Sequence, residues 1–311
     1  MTDPYARSPS LQARRADLLE PAALRELGDM ELIARRVVEG FLLGLHRSPH
    51  RGFSAEFAEL RAYRPGDDLR HVDWRMFGRS DRFYVKRFQE ETNLRAYLLV
   101  DLSGSMDWSS EPERLPTKAW YAFHLAAALA YALIRQGDQV GLVTFDRAIR
   151  DHVEPRGGRK QLRELLLTLG GLEPRGETEA EGALREVAVR LRKPGLAILL
   201  SDLLLDPSST TQALQFLRHR GHEVMVLHLM DPGERDLPPG GSVRFVDPES
   251  HEELGVNVPD IRAEYRSAVN EAVQEWTRTL RPQGIQYDCL STSEPFAIAL
   301  RRYLRKRERL G

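Results

Sequence analysis

Four short, almost unbroken apolar runs separated by helical patterns constrain this chain more than any other feature: Leu94–Asp101, Gln139–Phe145, Leu196–Ser201 and Glu223–Leu229. A strand that is apolar at both parities has no face to give to water, so it belongs in a sheet covered on both sides. Alternation with helices makes that sheet parallel. Helices are expected at about Thr117–Arg135, Lys160–Leu169, Glu179–Leu191 and Ser208–His219. The first is apolar on most faces, which places it in the interior. Ala148–Val153 is expected to pair as a hairpin edge strand with the run before it. A loop-rich stretch, Asp231–Pro259, holds a short hairpin at Val243–Asp247 and Glu252–Val256. A long helix at Pro259–Leu280, a last strand at Gln286–Leu290 and a basic helix at Pro295–Arg309 close the chain.

Before the first apolar strand the pattern differs. Ala13–Leu45 reads as helical, with Leu32, Ile33, Val37, Val38, Phe41, Leu42 and Leu45 at helical spacing. Gly52–Asn93 is rich in Arg, Asp and aromatics and has little periodicity. The expected organisation is therefore an N-terminal segment, residues 1–93, packed on an α/β domain, residues 94–311. Arg61, Arg64, Arg70, Asp67, Asp68 and Asp73 are expected to clamp the segment by ion pairs and hydrogen bonds.

Composition narrows the function. Lys+Arg number 45 against 46 Asp+Glu, a net charge of −1, so nothing electrostatic points to nucleic acid or an anionic membrane. One cysteine, Cys289, allows no internal disulfide. The first twenty residues lack the apolar core of a secretory signal, and no stretch reaches the ~20 apolar residues of a membrane span. A cytoplasmic protein with no membrane span is expected.

The first apolar strand runs into a cluster of oxygen side chains: Asp101-Leu102-Ser103-Gly104-Ser105. Two readings are open. Oxygen-only donors suit a hard divalent cation such as Mg²⁺ or Mn²⁺. Alternatively, the stretch is a Ser/Gly turn whose Asp caps the next helix. A second strand ends at Ser201-Asp202, and between the two lies the loop Gly170–Thr178, where Thr178 offers a hydroxyl near a helix N-terminus. In open parallel sheets ligands bind at the carboxyl ends of the strands, at the point where the strand order reverses. If these two strands are neighbours, the three loops meet.

Asp101-x-Ser103-x-Ser105, then Thr178, then Ser201-Asp202 after an apolar strand resembles the von Willebrand factor A domain. The resemblance implies a doubly wound, Rossmann-type, mostly parallel α/β sheet. It also implies that Asp101, Ser103, Ser105, Thr178 and Asp202 form a metal-ion-dependent adhesion site for Mg²⁺ or Mn²⁺, whose coordination an acidic side chain of a partner completes. A second resemblance covers Gly52-x-x-x-Glu56-Phe57, Arg61-x-Tyr63-x-x-Gly66-Asp67-Asp68-x-Arg70-x-Val72-Asp73-Trp74 and Phe83-Tyr84-Val85-Lys86-x-Phe88. These are similar to the signature of the bacterial family called domain of unknown function fifty-eight. That resemblance implies an association with MoxR-type AAA+ ATPases in protein maturation or chaperoning.

The function expected from these readings is non-enzymatic: a metal-dependent protein-interaction module whose partner is a client or an AAA+ ATPase offering an acidic side chain. The rival is a metal-dependent, phosphatase-like hydrolase with Asp101 as nucleophile. Against it stand the serines where a second carboxylate would be expected, and the lack of a well-placed lysine unless Lys118 serves. A purely structural scaffold is a third reading, in which no ion matters.

Overall fold

In a computed structural model, the residues described are 29–45, 59–63, 74–80, 82–87, 94–174, 180–237, 240–246, 253–296 and 298–300. They fall into two compact units, one between residues 48 and 93, the other formed by the rest. The N-terminal helix α1 (Met30–Leu45) groups with the larger unit. Asp29 caps it, its carboxylate accepting the Leu32 amide at 3.1 Å. Ile33, Ala34, Val37 and Val38 form its buried stripe.

The smaller unit pairs β1 (Glu59–Ala62) antiparallel with β2 (Tyr84–Arg87), and the short helix α2 (Trp74–Ser80) lies between them in sequence. Phe77 stacks on Phe83 with ring centroids 4.2 Å apart. Arg64, Asp67, Asp68, Arg70, Asp73 and the Arg61 side chain, expected to form the clamp, lie outside the described residues.

The larger unit is built on one six-stranded sheet. In sequence order its elements are β3 (Arg95–Asp101), α3 (Lys118–Arg135), β4 (Gln139–Phe145), β5 (Ile149–Arg156), α4 (Gly158–Gly170), α5 (Ala180–Arg190), β6 (Leu196–Ser201), α6 (Pro207–His219) and β7 (Glu223–Met230). A one-turn helix α7 (Pro232–Arg235), the hairpin β8 (Ser242–Val246) and β9 (Glu253–Asn257), the long α8 (Val258–Leu280) and β10 (Gln286–Ser291) follow. Strand order across the sheet is β10-β7-β6-β3-β4-β5. Every neighbouring pair is parallel except β4 with β5, the expected antiparallel edge. The chain winds outward from β3 in one direction, then returns to β6 and winds in the other. The mostly parallel sheet expected from the strand pattern and the doubly wound order that the resemblance implied are therefore both present. Beyond residues 298–300, the expected C-terminal helix lies outside the described residues.

The strands are apolar at both parities because each feeds two cores. Leu98, Val100, Leu142, Ile198, Leu200, Met225 and Leu227 face a core completed by α1, α3 and α4. Tyr97, Leu99, Val143, Ala197, Leu199, Val224 and Val226 face the other, completed by α5, α6 and α8. Helix α3 is buried around nearly its whole circumference, since α1 and α4 cover the sides the sheet leaves open.

Candidate metal and interaction site

The order reverses between β3 and β6, which are direct neighbours (Leu99 pairs with Leu199, Val100 with Leu200). Their carboxyl ends carry Asp101 and Ser201-Asp202. Asp101 is fully buried. One of its oxygens accepts the Ser103 amide at 2.9 Å and the other accepts the Ser201 hydroxyl at 2.6 Å. The carboxylate thus ties its own loop to the neighbouring strand. After Asp101 the chain makes one 3₁₀ turn, Gly104–Met106, and Met106 drops into the first core. That anchor holds the two serines on the same side, their hydroxyls 3.0 Å apart.

On the β6 side, Leu203 has φ +53°, a conformation that costs a non-glycine residue of the order of 1–3 kcal/mol. Its amide donates to Ser201 Oγ at 3.0 Å and its side chain is buried in the second core. The turn leaves Asp202 Oδ1 accepting the Leu204 amide at 3.2 Å. Asp202 Oδ2 accepts Lys118 Nζ at 2.8 Å. Lys118 is fully buried and is the first residue of α3. Its ammonium also donates to Glu234. Glu234 belongs to a capping box that follows β7: Asp231 accepts the Gly233 amide at 2.7 Å, and Glu234 accepts the Asp231 amide at 2.9 Å. Asp231 also accepts the Ser110 amide at 3.2 Å, which ties this loop to the one that follows Asp101. The approach is close: a Cβ on Gly233 would stand 2.4 Å from the Ser110 Cβ, so only glycine fits.

Hydrogen bonds therefore join Asp101, Ser103, Ser105 and Ser201, and Asp202, the residue after Ser201, stands close enough for its charge to act on Asp101 while its own bonds go to Lys118 and the Leu204 amide. Thr178, the fifth expected donor, lies outside the described residues. Sequence alone offers Lys118 only as a poorly placed phosphate partner, and it does not single out Glu234. The available signal for Glu234 is Asp231-Pro232-Gly233-Glu234, a helix-start pattern directly after a buried strand.

Burial, reinforced by the charge of Asp202, lifts the Asp101 carboxyl to about 6, although the bonds from Ser201 and Ser103 work the other way. Burial opposes the Lys118 ammonium, but Asp202 and Glu234 more than restore it, and its pKa stands above the ordinary lysine value. Among the described residues, no group of three or more His, Cys, Asp or Glu side chains is arranged to hold a metal. A cation here would depend on hydroxyls as well as carboxylates. The donor chemistry fits a hard divalent ion: the candidate donors are all oxygen, and Asp101, Asp202 and Glu234 outnumber Lys118. Two large apolar side chains are exposed on the same two loops, Trp108 at 37% and Leu204 at 63%. No helix among the described residues is long and apolar enough to cross a membrane.

Comparison with known proteins identifies the chain's relatives. It is 28% identical over 301 residues to the uncharacterized protein Rv1480 of Mycobacterium tuberculosis, spanning 95% of this chain and 93% of the relative. It matches the uncharacterized protein Mb1516 of Mycobacterium bovis to the same extent. Among solved structures it is similar to the conserved hypothetical protein BatB from Bacteroides thetaiotaomicron, at 14% identity and a TM-score of 0.47, over 68% of this chain and 98% of that one. It is also similar to the SpRpn10 VWA domain, at 10% identity and a TM-score of 0.38, over 68% and 95%. Both structural likenesses are too distant to bear on function. Residues 59–275 match the family described as "Protein of unknown function DUF58", and the chain belongs to that family.

Proposed function

We propose that this protein is a divalent-metal-dependent, non-catalytic protein-interaction module. Asp101, Ser103, Ser105, Thr178 and Asp202 are the residues that would hold a Mg²⁺-class ion, Mg²⁺ or Mn²⁺. The bound ion would supply an uncovered positive charge, because hydroxyl donors neutralise little of it, and that charge favours an Asp or Glu side chain of a protein partner. By the family resemblance, the partner is a MoxR-type AAA+ ATPase or a client handled with it in protein maturation or chaperoning.

The observation that carries the reading is the convergence of Asp101, Ser103, Ser105 and Asp202 at the carboxyl ends of β3 and β6, where Asp101, Asp202 and Glu234 outnumber Lys118. Exposed Trp108 and Leu204 on the same loops support a protein partner. The hydrolase alternative is less well supported. Lys118 serves two protein carboxylates rather than an open phosphate position, and the side chains beside Asp101 are serine hydroxyls rather than a second carboxylate.

The test is thermal unfolding of the full chain with Mg²⁺, Mn²⁺ or EDTA, together with binding to a purified MoxR-type ATPase. An ion at 100 times its dissociation constant should add about 2.7 kcal/mol, and Thr178→Ala should abolish capture while the fold survives. A melting curve indifferent to both ions and to chelator would overturn the reading.

A further inference from the structure

Lys118 sits where a lysine is hard to accommodate. It is fully buried, which penalises its charge. It occupies the first position of α3, at the positive end of the helix dipole, where a cation is disfavoured. Two contacts offset those costs: Asp202 Oδ2 at 2.8 Å, with the two side chains 1% and 2% exposed, and Glu234. Glu234 is itself fixed, its other oxygen accepting the Asp231 amide at 2.9 Å. The ammonium is therefore held at one edge of the constellation, on one of the carboxylates assigned to the ion. The Trp108 ring centroid lies 6.0 Å from it.

We propose that Lys118 is a tethered internal cation that competes with a divalent ion for Asp202, so that the ion binds only by drawing Asp202 away from Lys118. This inference rests on the reading of Asp101, Ser103, Ser105 and Asp202 as an ion site, and it adds a control to that site. With no ion, Lys118 neutralises Asp202 and keeps the buried carboxylates from repelling one another. When the ion takes Asp202, Lys118 is left to Glu234, which the capping box holds in place. The lysine lowers the apparent ion affinity and makes the ion-free state a stable one rather than a collapsed one. Asp101 bonds instead to Ser103 and Ser201, and Ser103 to Ser105, so these residues form the half of the site that Lys118 leaves open to the ion.

The experiment has two arms on the full chain. In the first, Mg²⁺ and Mn²⁺ affinities are measured by calorimetry for the wild type and for Lys118→Met, a substitution of similar length without charge. Lys118→Met should bind either ion at least tenfold more tightly, while its ion-free melting temperature falls because two carboxylates lose their partner. Lys118→Arg, which keeps a cation there, should stay near the wild-type affinity. In the second arm the wild type carries ¹⁵N at its lysine Nζ atoms. The Lys118 ammonium resonance should move on titration with Mg²⁺, with the midpoint given by calorimetry. This arm decides the matter should Lys118→Met not fold.

Ion binding by the wild type with no tightening in Lys118→Met, or a Lys118 resonance unmoved at saturation, would overturn the competition and leave the ion site standing. Absence of binding in both proteins would overturn the ion site and the competition together. Binding by Lys118→Met alone would support the competition and show that the wild-type lysine prevails over the ion.

Discussion

Ser201 Oγ donates a 2.6 Å hydrogen bond to Asp101 Oδ2, joining the carboxyl ends of β6 and β3 at the centre of the sheet. The same oxygen accepts the Leu203 amide at 3.0 Å, so one hydroxyl satisfies a buried carboxylate and supports a turn in a rarely populated conformation. Ser201→Ala is expected to lower stability by about 2 kcal/mol, since the surrounding groups stay buried without their partner. Urea denaturation in the presence of EDTA measures it; a change under about 0.5 kcal/mol, the range of an ordinary surface substitution, would contradict the assignment.

Two glycines make opposite predictions. Gly195 leads into β6, and a Cβ there would stand 2.4 Å from the Arg95 carbonyl oxygen on β3, a backbone atom that cannot swing away. Gly195→Ala should destabilise by about 1–3 kcal/mol. Gly182 lies in α5, and a methyl group added there would meet nothing within 4 Å, so Gly182→Ala should stabilise by roughly 0.5–1 kcal/mol through helix propensity. Thermal melts of the two variants side by side should move in opposite directions.

Acid sensitivity should come in part from His124. Its ring stacks on Trp120 with centroids 3.8 Å apart, and Nδ1 donates to the Trp120 carbonyl at 2.7 Å. Burial pushes its pKa down to about 4, against an unfolded value near 6.5. A depressed value means the neutral ring is favoured by folding. Its contribution is complete above pH ~6.5 and is lost as pH falls through about 4, amounting at most to about 3 kcal/mol. His124→Gln should therefore show a shallower loss of stability between pH 6.5 and 4 than the wild type. Parallel curves over that window would refute the role.

Leu204 offers a test of the interaction reading that leaves the core alone. It is 63% exposed, so Leu204→Ser should change stability by less than about 0.5 kcal/mol. If the loops after Asp101 and Asp202 form the contact surface, the same change should weaken capture of the purified ATPase about fivefold or more, a loss of the order of 1 kcal/mol. Unaltered affinity would move the contact elsewhere.

The sheet is readable from sequence because its signal is local and doubled: Leu196–Ser201 is apolar at both parities, and only a strand covered on both faces tolerates that. The parallel strands begin and end within about a residue of expectation. The antiparallel edge runs on to Arg156, past the expected Val153, because its polar half carries no apolar signal. The short strands Glu59–Ala62 and Tyr84–Arg87 escape the sequence pattern. At four residues each, they carry too few alternations to stand out among charged and aromatic neighbours. Among the candidate donors, Asp101, Ser103, Ser105 and Asp202 can be picked out from sequence because they stand at or just after the ends of apolar strands. Lys118 is not, since its role depends on the N-terminus of α3 meeting the end of β6, a relation between residues 84 apart. Glu234 is hidden for the same reason, 116 positions from the ammonium it meets.

The two-sided burial of the central strands has an evolutionary corollary. A polar change at Leu199 injures one layer and a polar change at Leu200 the other, so neither surface of the sheet can be spared for recognition. Novelty in this architecture has room along the rim, at exposed turn positions such as Trp108 and Leu204, which can vary their chemistry without disturbing the interior. Relatives that hold the same interior could thus greet quite different partners while differing by only a handful of rim positions.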